Sequence, residues 1–285
     1  MNLFSNPSWI SKFEYSYNNV DEVPEIVFKE INERLENIIK PNPLLTILIA
    51  AYNEEINILR CIGSLSATHT KYPLEIIVVN NNSGDRTQET LEKLKIKNLF
   101  QAIQGPGPAR QMGQENASGK YILLADADCI YPPDWVDKMM EKLLEKDVVC
   151  VYGRYSFISD PESPRWQLSV LEFMKDCIAE VRHFKRPYLN AYGISMGYLK
   201  EAGLKAGFIM HNTRGEDGRI CFDMMQYGKI EQVKSKNARA WTGTRTLRKE
   251  GSIVQALGNR IKKEISKITS YLKPHPPHDT KTSQN

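Results

Sequence analysis

Four apolar runs in the first half of the chain each end in a cluster of small polar or charged residues: LLTILIA before AYNEE, LEIIVV before NNNSGD, NLFQA before GPGPAR, and YILLA before DADC. Apolar runs without polar alternation suit strands buried on both faces, and the amphipathic segments of about ten residues between them suit covering helices. This pattern restricts the chain to an α/β fold with a mostly parallel sheet flanked by helices on both faces. The expected elements are a helix at 23–39 ended by Pro41 and Pro43, then strand 44–51, helix 54–65, strand 74–79, helix 87–94, strand 98–102, helix 109–116 and strand 120–125. Ligands of such sheets bind beyond the carboxyl ends of the strands, so four polar clusters on one edge predict one site.

Beyond Asp134 the pattern loosens into a helix at 135–145, a strand at 148–155, a long amphipathic helix at 166–184, a mixed region NAYGISMGYLKEAGLKAGF, and a helix opened by the acids of GEDGRICFDMMQYG. These elements read as the second half of one domain, 44–130 joined to 131–243. An acidic helical extension, 1–43, precedes it, and a basic amphipathic helix with a polar tail, 244–285, follows. Hydrophobic residues make up 41% of the 285 and charged residues 25%, which is ordinary for a soluble globular protein. Five cysteines without a CxxC pair suggest neither a zinc knuckle nor a disulfide framework and favour a reducing cytoplasm. The N-terminus lacks the pattern of a secretory signal, and no apolar run approaches the roughly 20 residues that span a bilayer. A cytoplasmic protein, at most peripheral at the inner face of a membrane, is expected.

Asp126-Ala127-Asp128 places two carboxylates where a buried strand becomes a loop. Like charges so close call for a positive partner, and carboxylate oxygens suit a hard divalent cation shared with a pyrophosphate; capping of the next helix is the plainer alternative. In NNNSGDRT, the small polar residues can cap a helix or turn their amides toward a base or ribose. Arg110, at the start of the helix after GPGP, joins a guanidinium to a helix N-terminus, both suited to anions. Glu216-Asp217 between two glycines reads either as a helix cap or as a general base with a neighbour that holds it. Near the end, apolar positions Ile253, Leu257, Ile261, Ile265 and Ile268 recur at helical spacing beneath Arg260, Lys262, Lys263 and Lys267. That stripe packs on its own domain, or the basic face attracts an anionic membrane surface or a phosphate-bearing acceptor. His183 and His211 stand alone and are read as non-ligands.

Taken in order, ILIAAYNEE, EIIVVNNNSGDRT, GPARQMGQENASGKYILLADADC and GEDGRI resemble the family 2 glycosyltransferases with a GT-A fold. The resemblance covers roughly residues 44–243, and its specificity lies in order and spacing. It implies a nucleotide-sugar donor, a UDP-sugar ahead of a GDP-sugar, a divalent cation (Mn2+ or Mg2+), a glycan or lipid-linked acceptor, and no nucleic acid. By matching, Ala50, Tyr52 and Glu54 fall on the donor side, Asn80 and Asn82 at the nucleoside turn, and Arg110 near base or diphosphate. Asp126, Ala127 and Asp128 form the DxD motif with both aspartates at the metal, and Asp217 is the catalytic base of an inverting transfer. Glu216, Asn190, Trp241 and Arg245 fall at acceptor or diphosphate positions. One departure stands out: Asn80 and Asn81 are amides where the family commonly has aspartates. Two rivals remain, a sugar-nucleotide nucleotidylyltransferase, which normally opens on a Gly-rich loop and lysine absent here, and a non-catalytic nucleotide-binding module at a membrane surface.

Overall fold

The structure, a computed structural model, describes residues 4–212 and 215–248. Helix α1 (Glu25–Ile38) is followed by β1 (Leu45–Ala51), α2 (Asn57–Ser66), β2 (Leu74–Asn80), α3 (Thr87–Glu92), β3 (Lys97–Phe100), α4 (Pro106–Glu115) and β4 (Tyr121–Asp126). The second half contributes β5 (Cys129–Ile130), α5 (Trp135–Leu143), β6 (Val148–Tyr152), β7 (Tyr155–Phe157), α6 (Arg165–Lys185), β8 (Met196–Leu199), α7 (Lys200–Ala206), α8 (Glu216–Met224), β9 (Lys229–Gln232), β10 (Ala240–Thr242) and α9 (Arg245–Arg248). Seven strands form one sheet in the order β3-β2-β1-β4-β8-β6-β9, parallel except for β8, which runs antiparallel to both neighbours.

Period-two alternation along the central strands feeds two cores, one on each face of the sheet. Ile47, Ile49, Ile76, Val78 and Leu123 point into a cluster with Phe28, Ile31 and Leu35 of α1, Ile58 and Ile62 of α2, and Met139 and Met140 of α5. Leu48, Ile77, Val79, Ile122 and Leu124 point into the other, with Ala109 of α4, Ala202 of α7, and Ile220, Cys221 and Met224 of α8. β1, β2 and β4, buried on both faces, thus read as continuous apolar runs, whereas β3 lies at the sheet edge and is partly exposed, with Phe100 turned to solvent.

The expected strand over 148–155 is two strands in two sheets. The Gly153 N–H donates to the Ser195 carbonyl at 2.8 Å, and a Cβ at Gly153 would lie 2.3 Å from Ser195 Oγ, so the chain turns there in close backbone contact. β7 then joins β5 and β10 in a small sheet ordered β5-β10-β7. Its register puts Thr242 opposite Cys129 and Trp241 opposite Ile130, which ties the segment before Arg245 to the residues just after Asp128. The mixed region 190–208 folds into β8 and α7. Among the described residues no helix is long and apolar enough to cross a membrane. The expected basic helix and polar tail beyond Arg248 lie outside the described residues.

A carboxylate cleft crossed by two arginines

β1, β2 and β4 end level with one another: Ala51 pairs with Asn80, and Ala50 with Asp126. Their carboxyl ends therefore open onto one edge, as the strand-end clusters predicted. The turn after β1 is laced to the turn after β2, with the Asn53 N–H donating to Ser83 Oγ at 3.0 Å and the Gly84 N–H to Asn53 Oδ1 at 2.8 Å. Asn53 and Asn82 both hold left-handed backbone, φ 55°, a conformation asparagine tolerates better than most residues.

The positive charge expected beside Asp126 and Asp128 is supplied in this structure by two side chains. Arg110, buried at the first turns of α4, donates through Nη1 to Glu216 at 2.7 Å and Asp217 at 2.5 Å, and through Nη2 to Asp126 at 3.1 Å. Arg245 Nη2 lies 2.5 Å from Glu54 Oε1 and 3.1 Å from Asp128 Oδ2. Arg110 is thus enclosed by carboxylates at the base of the cleft.

Gly193 makes this arrangement possible. Its N–H donates to Asp217 Oδ2 at 2.8 Å, and a Cβ there would lie 1.9 Å from Arg110 Nη2. Below Asp126, the Tyr131 hydroxyl accepts from the Asp126 N–H at 2.8 Å and donates to the Ile194 carbonyl at 2.9 Å, which fixes the end of β4 against residues 193–195. Neither Gly193 nor Tyr131 stands out in the sequence; the two closely spaced glycines of YGISMG, Gly193 in the turn before β8 and Gly197 within it, are the available signal.

Five carboxyls (Glu54, Asp126, Asp128, Glu216, Asp217) meet two guanidiniums (Arg110, Arg245), an excess of three negative charges when all are ionised. The field shows in the titrations. Burial, assisted by Asp128 and Asp217 and opposed by Arg110, pushes the Asp126 carboxyl up to about 7. Burial and the Asp217 charge raise Glu216 as well, and burial raises Glu54 against its bonds from Arg245 and Asn57. For Arg110, burial acts downward, and the three carboxylates outweigh it, holding the guanidinium firmly charged. Asp126, Asp128 and Cys129 bring one ligand atom each within 4.8 Å of one another. The Cys129 thiol is buried and its pKa raised far above normal, so the carboxylates are the available donors and a hard cation fits them.

The other residues matched from sequence divide into rim and scaffold. Tyr52 is 50% exposed and Asn82 is exposed, both on the cleft edge, while Ala50 is half-buried beside Asp126. Asn80 is buried: its amide donates to Gln88 at 2.8 Å and its oxygen accepts the Ser83 N–H at 3.1 Å. Asn81 donates to the Gln101 and Ile103 carbonyls and accepts the Gly105 N–H at 2.7 Å. Both amides are buried and shape loops. Ala127 is core. Asn190 is buried, bonded to Tyr152 Oη and the Ala179 carbonyl, and Trp241 packs with Ile10, Phe13 and Ile130 beneath Arg165. Asn190 and Trp241 therefore support the walls and do not face the cleft, because β10 turns Trp241 inward and α6 covers Asn190. His183 bonds Tyr152 Oη at 2.7 Å, as a non-ligand histidine would.

The sequence profile of Glycosyl transferase family 2 matches residues 46–206. The chain belongs to that family. An uncharacterised glycosyltransferase of Haemophilus influenzae is 30% identical over 122 residues, which are 40% of this chain and 48% of that one. The curated relatives are thus matched over about half of their length or less. Among solved structures, a Pyrobaculum calidifontis mannosyltransferase in complex with GDP-Man and Mn2+ superposes with TM-score 0.55 at 16% identity, over 87% of this chain and 80% of its own. A Mycobacterium tuberculosis glucosyl-3-phosphoglycerate synthase with Mn2+, UDP-Glc and phosphoglyceric acid gives 0.51 at 17% identity, over 88% and 84%. At such identities these structures establish the fold, which is GT-A.

Proposed function

We propose that the protein transfers a sugar, with inversion, from a nucleoside diphosphate sugar to an acceptor hydroxyl, with Asp217 as general base and Asp126 and Asp128 as holders of a divalent cation. The observation that carries this reading is the single guanidinium of Arg110 joining Asp217 to Asp126, which sets the base and the metal-holding carboxylate at fixed separation in one cleft. GT-A neighbours that bind UDP-Glc or GDP-Man with Mn2+ support donor and cation alike. A cation held there would neutralise the diphosphate and stabilise the charge that builds on it as the sugar leaves.

The remaining steps belong to the protein. Arg110 and the Gly193 N–H each occupy one oxygen of Asp217, which fixes the carboxylate's plane and leaves a lone pair on each oxygen to accept the acceptor's proton. The acceptor oxygen then attacks the anomeric carbon from the face opposite the diphosphate. Arg245, over half exposed at the cleft mouth, is placed to meet the diphosphate once a cation takes over Asp128. Because the amides of Asn80 and Asn81 are spent on loops, recognition of the base falls to the rim formed by Tyr52, Asn82 and backbone groups, with a UDP-sugar as donor ahead of a GDP-sugar. The acceptor we assign is a glycan or lipid-linked sugar of cell-surface synthesis, reached along the 190–207 wall, with the protein in the cytoplasm.

A thermal-shift panel of UDP- and GDP-sugars with Mn2+ or Mg2+ tests the reading. One donor should raise the melting temperature only with metal, and Asp217→Asn should keep that shift while transfer falls by about 10²–10⁴-fold. Undiminished transfer by that variant removes Asp217 as the base.

A further inference from the structure

Helix α6 carries an apolar row turned to solvent. Trp166 is 53% exposed, Val170 47%, Phe173 68% and Phe184 72%, with exposed Cys177 between them. Steps of four, three, four and seven residues place these side chains within roughly 60° of one another around the helix, in a row about 27 Å long. Half-buried Met174, Ile178 and Val181 widen it. The opposite face is spent on the fold: Leu168 and Leu171 are buried, and Glu172 pairs with buried Arg165. Monomeric soluble proteins rarely leave such a continuous row uncovered.

A basic cavity borders the row. Asp176 and Glu180 follow Phe173 and Cys177 by three residues, which sets them roughly 60° further around the helix. There Asp176 pairs with Arg154 at 3.3 Å and with Arg239, while Glu180 pairs with Arg154 and, at 2.6 Å, with Lys234. Arg154, Lys234, Lys236 and Arg239 line a cavity of about 530 Å³ together with Asp134 and Asp176. Four cations against two carboxylates leave an excess of two positive charges, and counting Glu180 at the edge still leaves one. Lys236 is exposed and, among the described residues, pairs with no carboxylate. At the far end of the row Lys185 is exposed too, its ammonium 4.8 Å from the centre of the Phe184 ring.

A small anion would use the cavity and leave the row bare, and an apolar protein partner would cover the row and leave the cations unmatched. A lipid surface with anionic headgroups matches both, because tryptophan and phenylalanine suit the boundary between headgroups and acyl chains while lysine and arginine beside them meet the phosphates. We infer that α6 seats the protein on an anionic bilayer, with Trp166, Val170, Phe173, Cys177 and Phe184 entering that boundary and the cavity of Arg154, Lys234, Lys236 and Arg239 facing lipid phosphates. From Lys185 the chain turns through Pro187–Asn190 to Gly193, so the 190–207 wall of the cleft continues directly from the seated helix. The inference rests on this surface and not on the proposed transferase chemistry.

Cys177 reports on the seating directly, because Cys61, Cys129, Cys150 and Cys221 are buried and the sequence has no other cysteine. An environment-sensitive fluorophore on Cys177 of the full-length protein should brighten severalfold and shift to the blue with mixed phosphatidylglycerol and phosphatidylcholine vesicles, and stay unchanged with phosphatidylcholine alone. Cosedimentation of the unlabelled protein with the mixed vesicles should fall on the order of ten-fold for Phe173→Asp/Phe184→Asp and for Lys185→Glu/Lys236→Glu, each confirmed as folded by its melting curve. Undiminished cosedimentation of both variants overturns the inference, and so does a complete lack of cosedimentation by the unaltered protein. Cosedimentation with a dark fluorophore overturns it equally, since another part of the chain then meets the lipid. A fluorophore already bright without vesicles also overturns it, assigning the row to a second copy if gel filtration shows a dimer and to cover within the chain if it shows a monomer.

Discussion

Arg110 decides the character of the cleft. One buried guanidinium bonds three carboxylates directly, so its own charge is compensated, and removing it would leave those carboxylates facing one another without a cation. Gly193 is the residue that lets it sit there. We predict that Gly193→Ala reduces sugar transfer on the order of 10²-fold by shifting the guanidinium and Asp217, with a small change in melting temperature; steady-state rates beside a melting curve check it. The departure at Asn81 has a physical reason at the same scale. A carboxylate could still accept the Gly105 N–H but could not donate to the Gln101 and Ile103 carbonyls. Asn81→Asp should therefore cost about 1–3 kcal/mol in urea unfolding. Reversion toward the family's usual acid would thus weaken this chain.

At the scale of elements, the end of β4 and the strand pair β5–β10 act together. β4 sets Asp126 beside Ala50, while pairing of Thr242 with Cys129 brings Arg245 back to Asp128 across a separation of 117 residues. The Asp126 carboxyl is raised to about 7 from its ordinary 3.8, so the proposed cation would have to displace a proton below that pH. Mn2+ affinity, read by electron paramagnetic resonance, should fall as pH drops below 7, approaching ten-fold per unit, and should level off above it. By linkage, the raised group binds its proton more tightly folded than unfolded, so in the metal-free protein its contribution increasingly favours folding as pH falls from about 7 toward 3.8. A flat affinity between pH 5.5 and 7.5 would show that Asp126 is not a ligand.

For the whole molecule, the sheet separates two cores, and α1 closes the one beneath β1 and β2. Phe28, Ile31 and Leu35 are fully buried or nearly so, which makes the acidic N-terminal helix part of the packing that aligns the strand ends. Leu35→Ala should destabilise the protein by about 2–5 kcal/mol in urea unfolding, against near-neutral effects at solvent-facing α1 positions such as Ile26. The strands and helices of the first half were legible because a strand buried on both faces must be apolar throughout and must stop at a polar turn. Asp126, Asp128 and Asp217 were legible for the same reason, since charge at a strand or helix end stands out against apolar neighbours. The second half was less so: the break at Gly153, the antiparallel β8 and the short β9 and β10 depend on partners far along the chain, and no local pattern encodes them.

By itself, then, the sequence determined which segments are buried, where the chain turns, and that four polar clusters share one edge, because these follow from local periodicity and solvation. Tertiary structure alone decided which charge meets which carboxylate. A guanidinium at the end of a long side chain, placed on a different element, selects its partners by distance and burial, and those are set only when β4, α4, α8 and β10 come together. The positive charge that DADC demanded is therefore met within the chain by Arg110 from beneath and Arg245 from the rim.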